Sequence, residues 1–391
     1  MITVEEALAR CLALATRLGS ETVPLREANG RVMAEPATAR LTQPPFAASA
    51  MDGYALGRNA QAGDQFNVMG EAGAGHGFAG SLAPQDATRI FTGAPLPTGA
   101  VTIAIQEDVT ANGQSITVNT ATKTGDNIRP QGQDFALGDT LSPRLLRPND
   151  LALLAAMNVP TVAVTRRPVV ALIATGDELV MPGEQPGPDQ IIASNTFALA
   201  AMIEAAGGQA RMLPIARDNE ASLRTVFALT EGADLIVTIG GASVGDHDLV
   251  GKVATDLGLE RAFWKIAMRP GKPLMAGRVL GIPMLGLPGN PVSAIVCGHL
   301  FLVPMLKAML GQPATPQTLA ARLGADQPAN GPRTHYMRAR LAVTDGQPTI
   351  TPFDRQDSAL LSILTEANAL LIRPNGDGPR RAGDLVDYIA I

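Results

Sequence analysis

Three short apolar runs, each followed by a loop of glycine, proline or acidic residues, constrain the fold of this chain more than any other feature. The runs cover residues 169–174, 235–239 and 284–287. Their length and unbroken apolar character are typical of strands buried on both faces. Helical periodicity lies between them, at residues 196–206, 221–229 and 249–257. Because strands alternate with helices, the sequence predicts a three-layer α/β domain with a mostly parallel sheet at residues 167–312.

The loops that follow these runs contain residues suited to ligand binding. They are the acidic loop (residues 175–178), the glycine loop (240–248) and the proline loop (288–291), with the basic segment (269–273) between the last two. Parallel sheets bind ligands outside the carboxyl ends of their strands, and all three loops fall there. We therefore expect the loops to line one crevice.

The chemistry of this crevice indicates an anionic ligand. Glycine lets backbone N–H groups approach a ligand closely, and helix N-termini favour anions. Arg269 and Lys272 add positive charge. The acidic residues are Glu178, Asp246 and Asp248. This combination predicts a phosphorylated ligand held through a divalent cation. For any single loop, the alternative is that its glycines form turns and its acids cap helices.

Length and composition exclude several functional classes. A chain of 391 residues is too long for one hydrophobic core, so several domains are expected. A net charge of −5 and an aromatic content of 4% argue against a general nucleic-acid binder. The two cysteines, Cys11 and Cys297, offer neither a disulfide framework nor a metal-ligand spacing. We find no apolar run of about 18 residues and no signal peptide, so we expect a cytoplasmic protein without a membrane partner.

The N-terminal part is predicted to combine two regions. Residues 1–50 and 140–166 indicate a mixed α/β region, into which a β-rich domain at residues 51–139 is inserted. Asn112-Gly113 is a strong signal for a β-hairpin within the inserted domain. Asp150 is expected to cap a short helix.

Three polar residues of the N-terminal part lie in rigid loops. Asp52 lies in the diproline-containing segment 41–56, Thr92 begins a Thr-Gly-Ala-Pro-Leu-Pro segment, and Asp134 ends the turn-rich segment 129–134. Proline restricts the backbone, so the diproline segment is a fixed loop rather than a helix. A plain turn residue and a functional residue are equally good interpretations of each position.

The C-terminal part is predicted to contain a long helix and a small β barrel. The helix covers residues 292–310 and begins after Pro291, which suits a first helical turn. His299 lies in this helix, and we interpret it as a packed side chain rather than a ligand. Short apolar runs separated by glycine-containing turns predict the barrel at residues 317–391.

Taken in order, these segments resemble the molybdopterin molybdenumtransferase family, which is called MoeA in bacteria and forms the E domain of gephyrin-like proteins. The resemblance covers essentially the whole chain. The matching segments are the Pro-Pro-Phe loop through Met51-Asp52-Gly53-Tyr54, the Thr92 segment, Ile128-Arg129, Gly132-Gln133-Asp134, the acidic loop with Leu179, Ser194-Asn195, the glycine loop, Pro270-Gly271-Lys272-Pro273 and the proline loop after Leu287. One such segment would be a weak signal, whereas the ordered set is highly specific.

The resemblance implies an enzyme of molybdenum cofactor biosynthesis. Family members take adenylylated molybdopterin and molybdate, cleave the adenylate with the help of a divalent metal such as Mg²⁺, release AMP, and leave molybdenum on the dithiolene sulfurs. The resemblance also implies an elongated homodimer of four-domain subunits. The family site lies between the central domain of one subunit and the N-terminal region of the other. Other proteins of cofactor biosynthesis and acceptor enzymes are further candidate partners.

The resemblance also implies roles for individual residues. The catalytic candidates are Asp52, Asp134, Glu178, Asp218, Asp248 and Lys272, among which Glu178, Asp218 and Asp248 are the metal-binding candidates. The candidates for binding molybdopterin-AMP are Thr92, Thr175, Gly176, Asp177, Ser194, Asn195, Gly240, Gly241, Ser243, Gly245, Asp246, Pro288, Gly289 and Asn290. The candidates for binding molybdate are Arg269, Lys272, Arg333 and Ser358, and both Arg338 and Arg340 compete with Arg333 for its role. Arg269 stands where many relatives have lysine.

Two other functions are considered beside the transferase. Molybdopterin adenylyltransferases share the glycine-rich and proline loops, but that activity belongs to chains with the central domain alone. Gephyrin-like proteins use the same fold as a scaffold that binds receptor peptides. The motifs in the N-terminal and C-terminal parts of this chain favour the transferase over both alternatives.

Overall fold

The computed structural model describes residues 1–240, 249–344 and 346–391. These residues form two compact units. The first comprises Met1–Glu21 and Thr165–Ile391, and the second comprises Thr22–Val164. The α-helices are Val4–Leu14, Pro148–Ala156, Asn195–Ala205, Glu220–Ala228, Leu249–Asp256, Pro291–Cys297, Val303–Met309 and Leu361–Glu366.

The first unit is built on a six-stranded central sheet. In spatial order its strands are Gln209–Met212, Val169–Ala174, Leu235–Ile239, Ile282–Leu287, Met275–Val279 and Glu260–Trp264. The first four strands are mutually parallel, as the alternation of strands and helices predicts. The last two pair in antiparallel fashion, which makes the sheet mixed. Leu280 and Gly281 join a tight hairpin there with φ values of 53° and 76°, and positive φ at two successive residues is typical of a type I′ turn.

Helices cover both faces of the central sheet. On one face, Val170 and Leu172 pack in a core with Leu199 and Val296. On the other face, Ile173 packs with residues of the helices Glu220–Ala228 and Leu249–Asp256. Alternate residues of one strand thus enter different cores, because side chains alternate across a sheet. The predicted three-layer α/β domain is confirmed.

The helical stretch Pro291–Met309 differs from the continuous α-helix predicted at residues 292–310. It changes to a π-helix at Gly298–Leu302, in the turn before Pro304, which has no N–H to continue the hydrogen-bond ladder. By length and composition this stretch could cross a membrane, contrary to our expectation that no such run exists. It is 72% buried inside the protein, so we interpret it as a core helix. His299 is partly buried on it, and burial lowers the pKa of its imidazole.

The C-terminal residues of the first unit form the predicted small barrel, which is confirmed. Its strands are Leu319–Leu323, Thr334–Thr344, Gln347–Pro352, Ala369–Arg373 and Leu385–Ala390. The sheet closes because Thr334–Thr344 pairs with both Gln347–Pro352 and Ala369–Arg373. A short strand of the basic segment, Met268–Arg269, adds to the barrel in parallel with Thr334 and His335. The barrel and the central domain therefore share hydrogen bonds.

The second unit contains a six-stranded sheet and a separate smaller core. In spatial order the sheet strands are Thr102–Ile105, Gly53–Leu56, Asp86–Ile90, Gln65–Ala72, Ser115–Val118 and Val109–Asn112. Short paired strands lie at Ala37–Thr38 with Thr140–Leu141, and at Ala48–Ser49 with Ile128–Arg129, while Ser20–Pro24 pairs with Thr161–Thr165. The predicted hairpin at Asn112-Gly113 is confirmed, with φ of 65° at Gly113.

Asp150 caps its helix as expected, but from the third helical position in a capping box rather than from the N-cap position. The helix is Pro148–Ala156 and its N-cap is Arg147. Asp150 lies inside the first turn, where its Oδ2 accepts a hydrogen bond of 2.9 Å from the Arg147 N–H. Pro148 occupies the first helical position, which needs no N–H donor, so the helix can begin before the acidic residue.

Candidate functional site

A cleft of about 680 Å³ lies at the carboxyl ends of the parallel strands in the first unit. It is lined by the acidic loop, the start of the Asn195–Ala205 helix, Gly240, the proline loop and residues 191–194. Predicted binding residues that line it are Thr175, Gly176, Glu178, Ser194, Asn195, Asp218, Gly240, Pro288, Gly289 and Asn290. The structure thus brings together loops that are more than a hundred residues apart in sequence, as expected for loops at the carboxyl ends of parallel strands.

Backbone geometry holds the acidic loop in place. The Thr175 N–H donates to the Ile239 carbonyl at 3.1 Å, and the Gly176 N–H donates to the Ala216 carbonyl at 3.1 Å. Gly176 has φ of 144°, and a Cβ there would come within 2.2 Å of the Glu178 carboxylate. A side chain at this position would therefore displace the acid that lines the cleft.

Asp177 and Asp218 hold their two loops together by exchanging hydrogen bonds. The Asp218 N–H donates to Oδ1 of Asp177 at 3.1 Å, and the Asp177 N–H donates to Oδ2 of Asp218 at 3.4 Å. Both residues are exposed. This arrangement fixes Asp218 beside the acidic loop, although the two residues are 41 positions apart.

Arg217, which is not among the predicted site residues, also holds the acidic loop. Its Nη1 donates to the carbonyls of Gly176, Asp177 and Leu179 at 3.4, 3.2 and 3.0 Å. An arginine directly before a candidate acid was the available signal. However, only the folded chain shows that the guanidinium reaches carbonyls of another loop.

Asn195 links the helix start to the proline loop. Its Nδ2 donates to the Gly289 carbonyl at 2.7 Å. Its Oδ1 is buried and has no hydrogen-bond partner among the described residues. A buried acceptor left unpaired is costly, so this oxygen is suited to accept a hydrogen bond from a bound ligand.

Most of the glycine loop lies outside the described residues. The predicted site residues concerned are Gly241, Ser243, Gly245, Asp246 and Asp248. Gly240 is described, with φ of 91°, and a Cβ there would lie 3.0 Å from the Thr175 carbonyl oxygen. Glycine is therefore required where the strand ends at the cleft.

The carboxylates available for a metal are Glu178 and Asp218, which both line the cleft. Within residues 1–240, 249–344 and 346–391, no group of three or more histidine, cysteine or acidic side chains could hold a metal ion. Mg²⁺ is often bound by one or two carboxylates with substrate phosphates and water completing its shell. Two carboxylates on the wall of one cleft fit that pattern.

The basic segment is shaped by a glycine packed against the core. Gly271 has φ of 102°, and a Cβ there would come within 2.5 Å of the Cys297 Sγ. This tight turn exposes Arg269 and Lys272 on either side of it. Ser358 lies beside the cleft, because the Asn290 Nδ2 donates to its Oγ at 3.2 Å.

The structure separates the three competing arginines of the barrel. Arg338 is 1% exposed, and its guanidinium donates to the carbonyls of Leu360 and Arg355 at 3.3 Å each. Arg340 forms an ion pair of 2.6 Å with Glu366. Arg333 makes no side-chain hydrogen bond or ion pair with any residue in the described ranges, which leaves its guanidinium free to bind an oxyanion.

In the second unit, Thr92 fixes the carboxylate of Asp52. The Asp52 Oδ1 accepts hydrogen bonds from the Thr92 N–H at 2.8 Å and from its hydroxyl at 2.7 Å. These bonds, with a smaller contribution from the charge of Arg89, hold the pKa of Asp52 below its usual range. Asp134 is exposed in the same unit.

Three family models match consecutive parts of the chain and together cover most of it. The MoeA N-terminal region (domain I and II) matches residues 2–158, a probable molybdopterin binding domain matches residues 171–308, and the MoeA C-terminal region (domain IV) matches residues 320–391. The molybdopterin molybdenumtransferase of Nostoc sp. is 34% identical over 92% of this chain and 86% of its own length. The chain belongs to the molybdopterin molybdenumtransferase family. The resemblance stated from the sequence motifs is confirmed.

Two further matches also extend over the full length of this chain or nearly so. The Haemophilus influenzae protein of that name is 32% identical, with 99% of this chain and 98% of its own chain covered. The crystal structure of the molybdopterin biosynthesis moeA protein from Pyrococcus horikoshii OT3 superposes with a TM-score of 0.85, at 26% identity and with both chains fully covered. Because the matches extend beyond the central domain, they do not favour the single-domain adenylyltransferase.

Proposed function

We propose that the protein inserts molybdenum from molybdate into adenylylated molybdopterin, with release of AMP. The cleft at the carboxyl ends of the parallel strands carries the proposal, because it combines carboxylates with glycine- and asparagine-rich loops in a chain that belongs to this transferase family. Its volume of about 680 Å³ suits a ligand of nucleotide size.

In this proposal the cleft binds the molybdopterin-AMP. Asn195 presents its unpaired Oδ1 as an acceptor for a ligand N–H, and Gly240 and Gly289 line the same cleft. Arg217 and the reciprocal bonds between Asp177 and Asp218 keep the acidic loop in one conformation. A site held in one conformation before substrate binds loses less entropy on binding.

Molybdate would bind to the basic segment and the barrel. Arg269 and Lys272 are exposed on one turn, and Arg333 lies near Arg269 because His335 pairs with Arg269 across the two strands. Ser358 would add a hydroxyl donor beside the proline loop. Charge-assisted hydrogen bonds from arginine suit a tetrahedral dianion.

A divalent cation such as Mg²⁺ would be held by Glu178 and Asp218, with Asp248 as a further candidate. When bound, it would offset negative charge on the scissile phosphate. Glu178 and Asp218 themselves provide oxygen ligands at the cleft wall. Asp52, with its orientation set by Thr92, is proposed to orient substrate or water, and Asp134 is a second candidate for that role. The homodimer that the family resemblance implies is part of this proposal.

The test is AMP release by the purified protein. Adenylylated molybdopterin and Mg²⁺ are mixed with the protein, with and without molybdate, and AMP is followed over time. We expect release that depends on molybdate and falls at least about tenfold in Lys272→Ala and Glu178→Gln, since each change removes a charge at the site. Lys123→Ala and Glu231→Gln make the same chemical changes at exposed positions and should leave the rate unchanged.

The outcome also separates the alternative functions. Turnover of ATP with free molybdopterin would indicate an adenylyltransferase. Tight binding of adenylylated molybdopterin without AMP release above a protein-free control would contradict the transferase and indicate a carrier or scaffold.

A further inference from the structure

A second cavity, of about 450 Å³, lies in the first unit beside the barrel. None of the residues that line it lines the cleft described above. Its polar and charged lining residues are Arg269, Gln327, Asn330, His335, Asp354, Gln356 and Arg373. Three of these side chains are basic, and Asp354 is the acidic residue among them.

The three basic residues form one row across three neighbouring strands. His335 pairs with Arg269 on one side and with Arg373 on the other. Residues directly opposite each other in a sheet point to the same face. The register of the barrel therefore collects three basic side chains on one wall of the cavity.

Most of the other polar groups of this wall are already satisfied. Arg373 forms an ion pair of 2.6 Å with Asp377 and donates to the Pro328 and Gly378 carbonyls at 3.0 and 2.7 Å. The Asn330 Nδ2 donates to the Arg373 carbonyl at 2.9 Å. The Gln356 amide bonds the backbone of Arg338 through both of its polar atoms. These contacts make the wall rigid but leave little of it to bind a ligand.

His335 and Arg269 are the exceptions. The His335 residue is 8% exposed, and its imidazole has no hydrogen-bond partner among the residues that the structure describes. The Arg269 guanidinium has no ion pair or hydrogen bond within the same residues. Arg269 is an exposed residue and His335 lines the cavity, so neither side chain is held away from the cavity by a competing protein partner. The cavity thus offers the unused N–H donors of Arg269 and His335.

We propose that this cavity is a second oxyanion site, in which Arg269 and His335 donate hydrogen bonds to a tetrahedral dianion such as molybdate or sulfate. The site goes beyond the proposed transferase reaction, although it shares Arg269 with the proposed molybdate contacts. His335 is the residue that distinguishes it, since nothing in the proposed reaction uses this side chain.

The charges around His335 make binding depend on pH. Burial, followed by the charges of Arg269, Arg338, Arg373 and Arg333, lowers the pKa of His335 to about 4. Among the residues that the structure describes, Asp354 is the one acidic side chain on the cavity wall, and Asp377 is paired with Arg373. The empty cavity therefore holds a neutral imidazole at neutral pH. A bound dianion favours the protonated form, so the anion binds more tightly as the pH falls and a proton is taken up with it.

The test is calorimetric titration of the full-length protein with sodium sulfate and, separately, with sodium molybdate. Wild type is compared with His335→Gln and with His76→Gln, which makes the same change at an exposed position. We expect His335→Gln to weaken binding of both anions by about 10- to 100-fold, the range for a hydrogen bond to a charged group. His76→Gln should bind like wild type.

A second measurement separates a direct contact from a structural effect. Wild type should bind sulfate, whose charge is constant in this range, more tightly at about pH 6 than at about pH 8, with proton uptake visible as a heat that depends on the buffer. His335→Gln should lose both the pH dependence and the proton uptake. In wild type, added sulfate should shift the NMR signals of the His335 imidazole, which needs no variant.

The exposed Asp354 provides a variant with little risk to folding. Asp354→Asn should strengthen sulfate binding several-fold, because it removes a like charge from the cavity wall. Absence of anion binding, or binding that His335→Gln and Asp354→Asn both leave unchanged, would overturn the proposal. Sulfate binding of the expected kind in a protein that releases no AMP would leave this site standing while the transferase proposal fails.

Discussion

The bond between Thr92 and Asp52 shows how one residue can set the charge state of another. Thr92→Val removes the hydroxyl donor and keeps the backbone N–H donor, so the pKa of Asp52 should rise toward its ordinary value without a change of fold. NMR titration of the Asp52 carboxyl carbon measures this rise. Thr120→Val is the matched control, since Thr120 donates to a different carboxylate, Asp108. An unchanged pKa of Asp52 in Thr92→Val would mean that the hydroxyl bond is not formed in solution.

Replacement of Gly271, in the turn of the basic segment, should lower the stability of the protein. Gly271→Ala adds a Cβ at φ of 102° and only 2.5 Å from the Cys297 Sγ. Backbone strain of about 1–2 kcal/mol then adds to a steric overlap with the core, so we expect a loss of more than about 3 kcal/mol in the free energy of unfolding.

Gly232→Ala is the control for this change. Gly232 has φ of 75°, but no atom lies within 4 Å of an added Cβ. The decrease in the free energy of unfolding of Gly232→Ala, measured by urea denaturation, should therefore reflect the backbone strain alone. Equal losses in the two variants would show that the turn of the basic segment can move away from Cys297.

At the scale of elements, Asp234 holds the start of a central strand. It binds Arg166 through two hydrogen bonds of 2.7 and 2.6 Å and accepts a third, of 2.9 Å, from the Val169 N–H. Burial alone would raise the pKa of Asp234, but these bonds outweigh it and hold the pKa below its usual value. The carboxylate form therefore stabilises the folded state.

We expect Asp234→Asn to lower the free energy of unfolding by about 2 kcal/mol at neutral pH. Since the folded-state pKa is lowered, this contribution is complete above the unfolded value of about 3.9 and is lost as the pH falls through the folded-state value. Urea denaturation at neutral pH and near pH 3 should thus show that the difference in free energy of unfolding between wild type and Asp234→Asn becomes smaller in acid. Asp256→Asn, which breaks an exposed pair with Arg224, should cost under about 1 kcal/mol. A difference that grows in acid would contradict this assignment.

The elements also show where sequence patterns succeed. The strand predicted at residues 169–174 coincides with Val169–Ala174. Five consecutive residues of this strand are buried, and burial on both faces of a sheet requires the short, unbroken apolar run seen in the sequence. The strand Leu319–Leu323 lies at the start of the segment predicted to form the barrel, but no alternation of apolar and polar residues marks it in the sequence. Its residues are mostly exposed, so pairing with Leu385–Ala390, rather than an apolar pattern, makes it a strand.

In the whole molecule, some hydrophobic cores belong to one part of the chain and others are shared between two parts. The second unit contains its own cores, drawn from residues between Val23 and Val164. The barrel also has a core of its own, but it contributes Tyr336, Leu370 and Ile389 to the core on one face of the central sheet. The two parts should therefore respond differently to isolation.

We expect a fragment of residues 22–164 to melt cooperatively by circular dichroism. A chain that ends at residue 318 should lose cooperative melting of the first unit, because it exposes buried apolar side chains and leaves Met268–Arg269 without a partner strand. Gradual melting of the first fragment, or sharp melting of the truncated first unit, would contradict this view of the cores.

The sequence by itself determined the family, the fold class and the location of the cleft. Buried parallel strands produce unbroken apolar runs, and their carboxyl ends must meet at one sheet edge, so the acidic and proline loops could be placed together from local patterns. Tertiary structure alone decided which side chains are free. Arg338 and Arg340 look equivalent to Arg333 in sequence, but burial and an ion pair occupy them. The position of His335 likewise depends on strand register. This register places His335 beside Arg269 and Arg373, which are distant in sequence, and no local pattern specifies it.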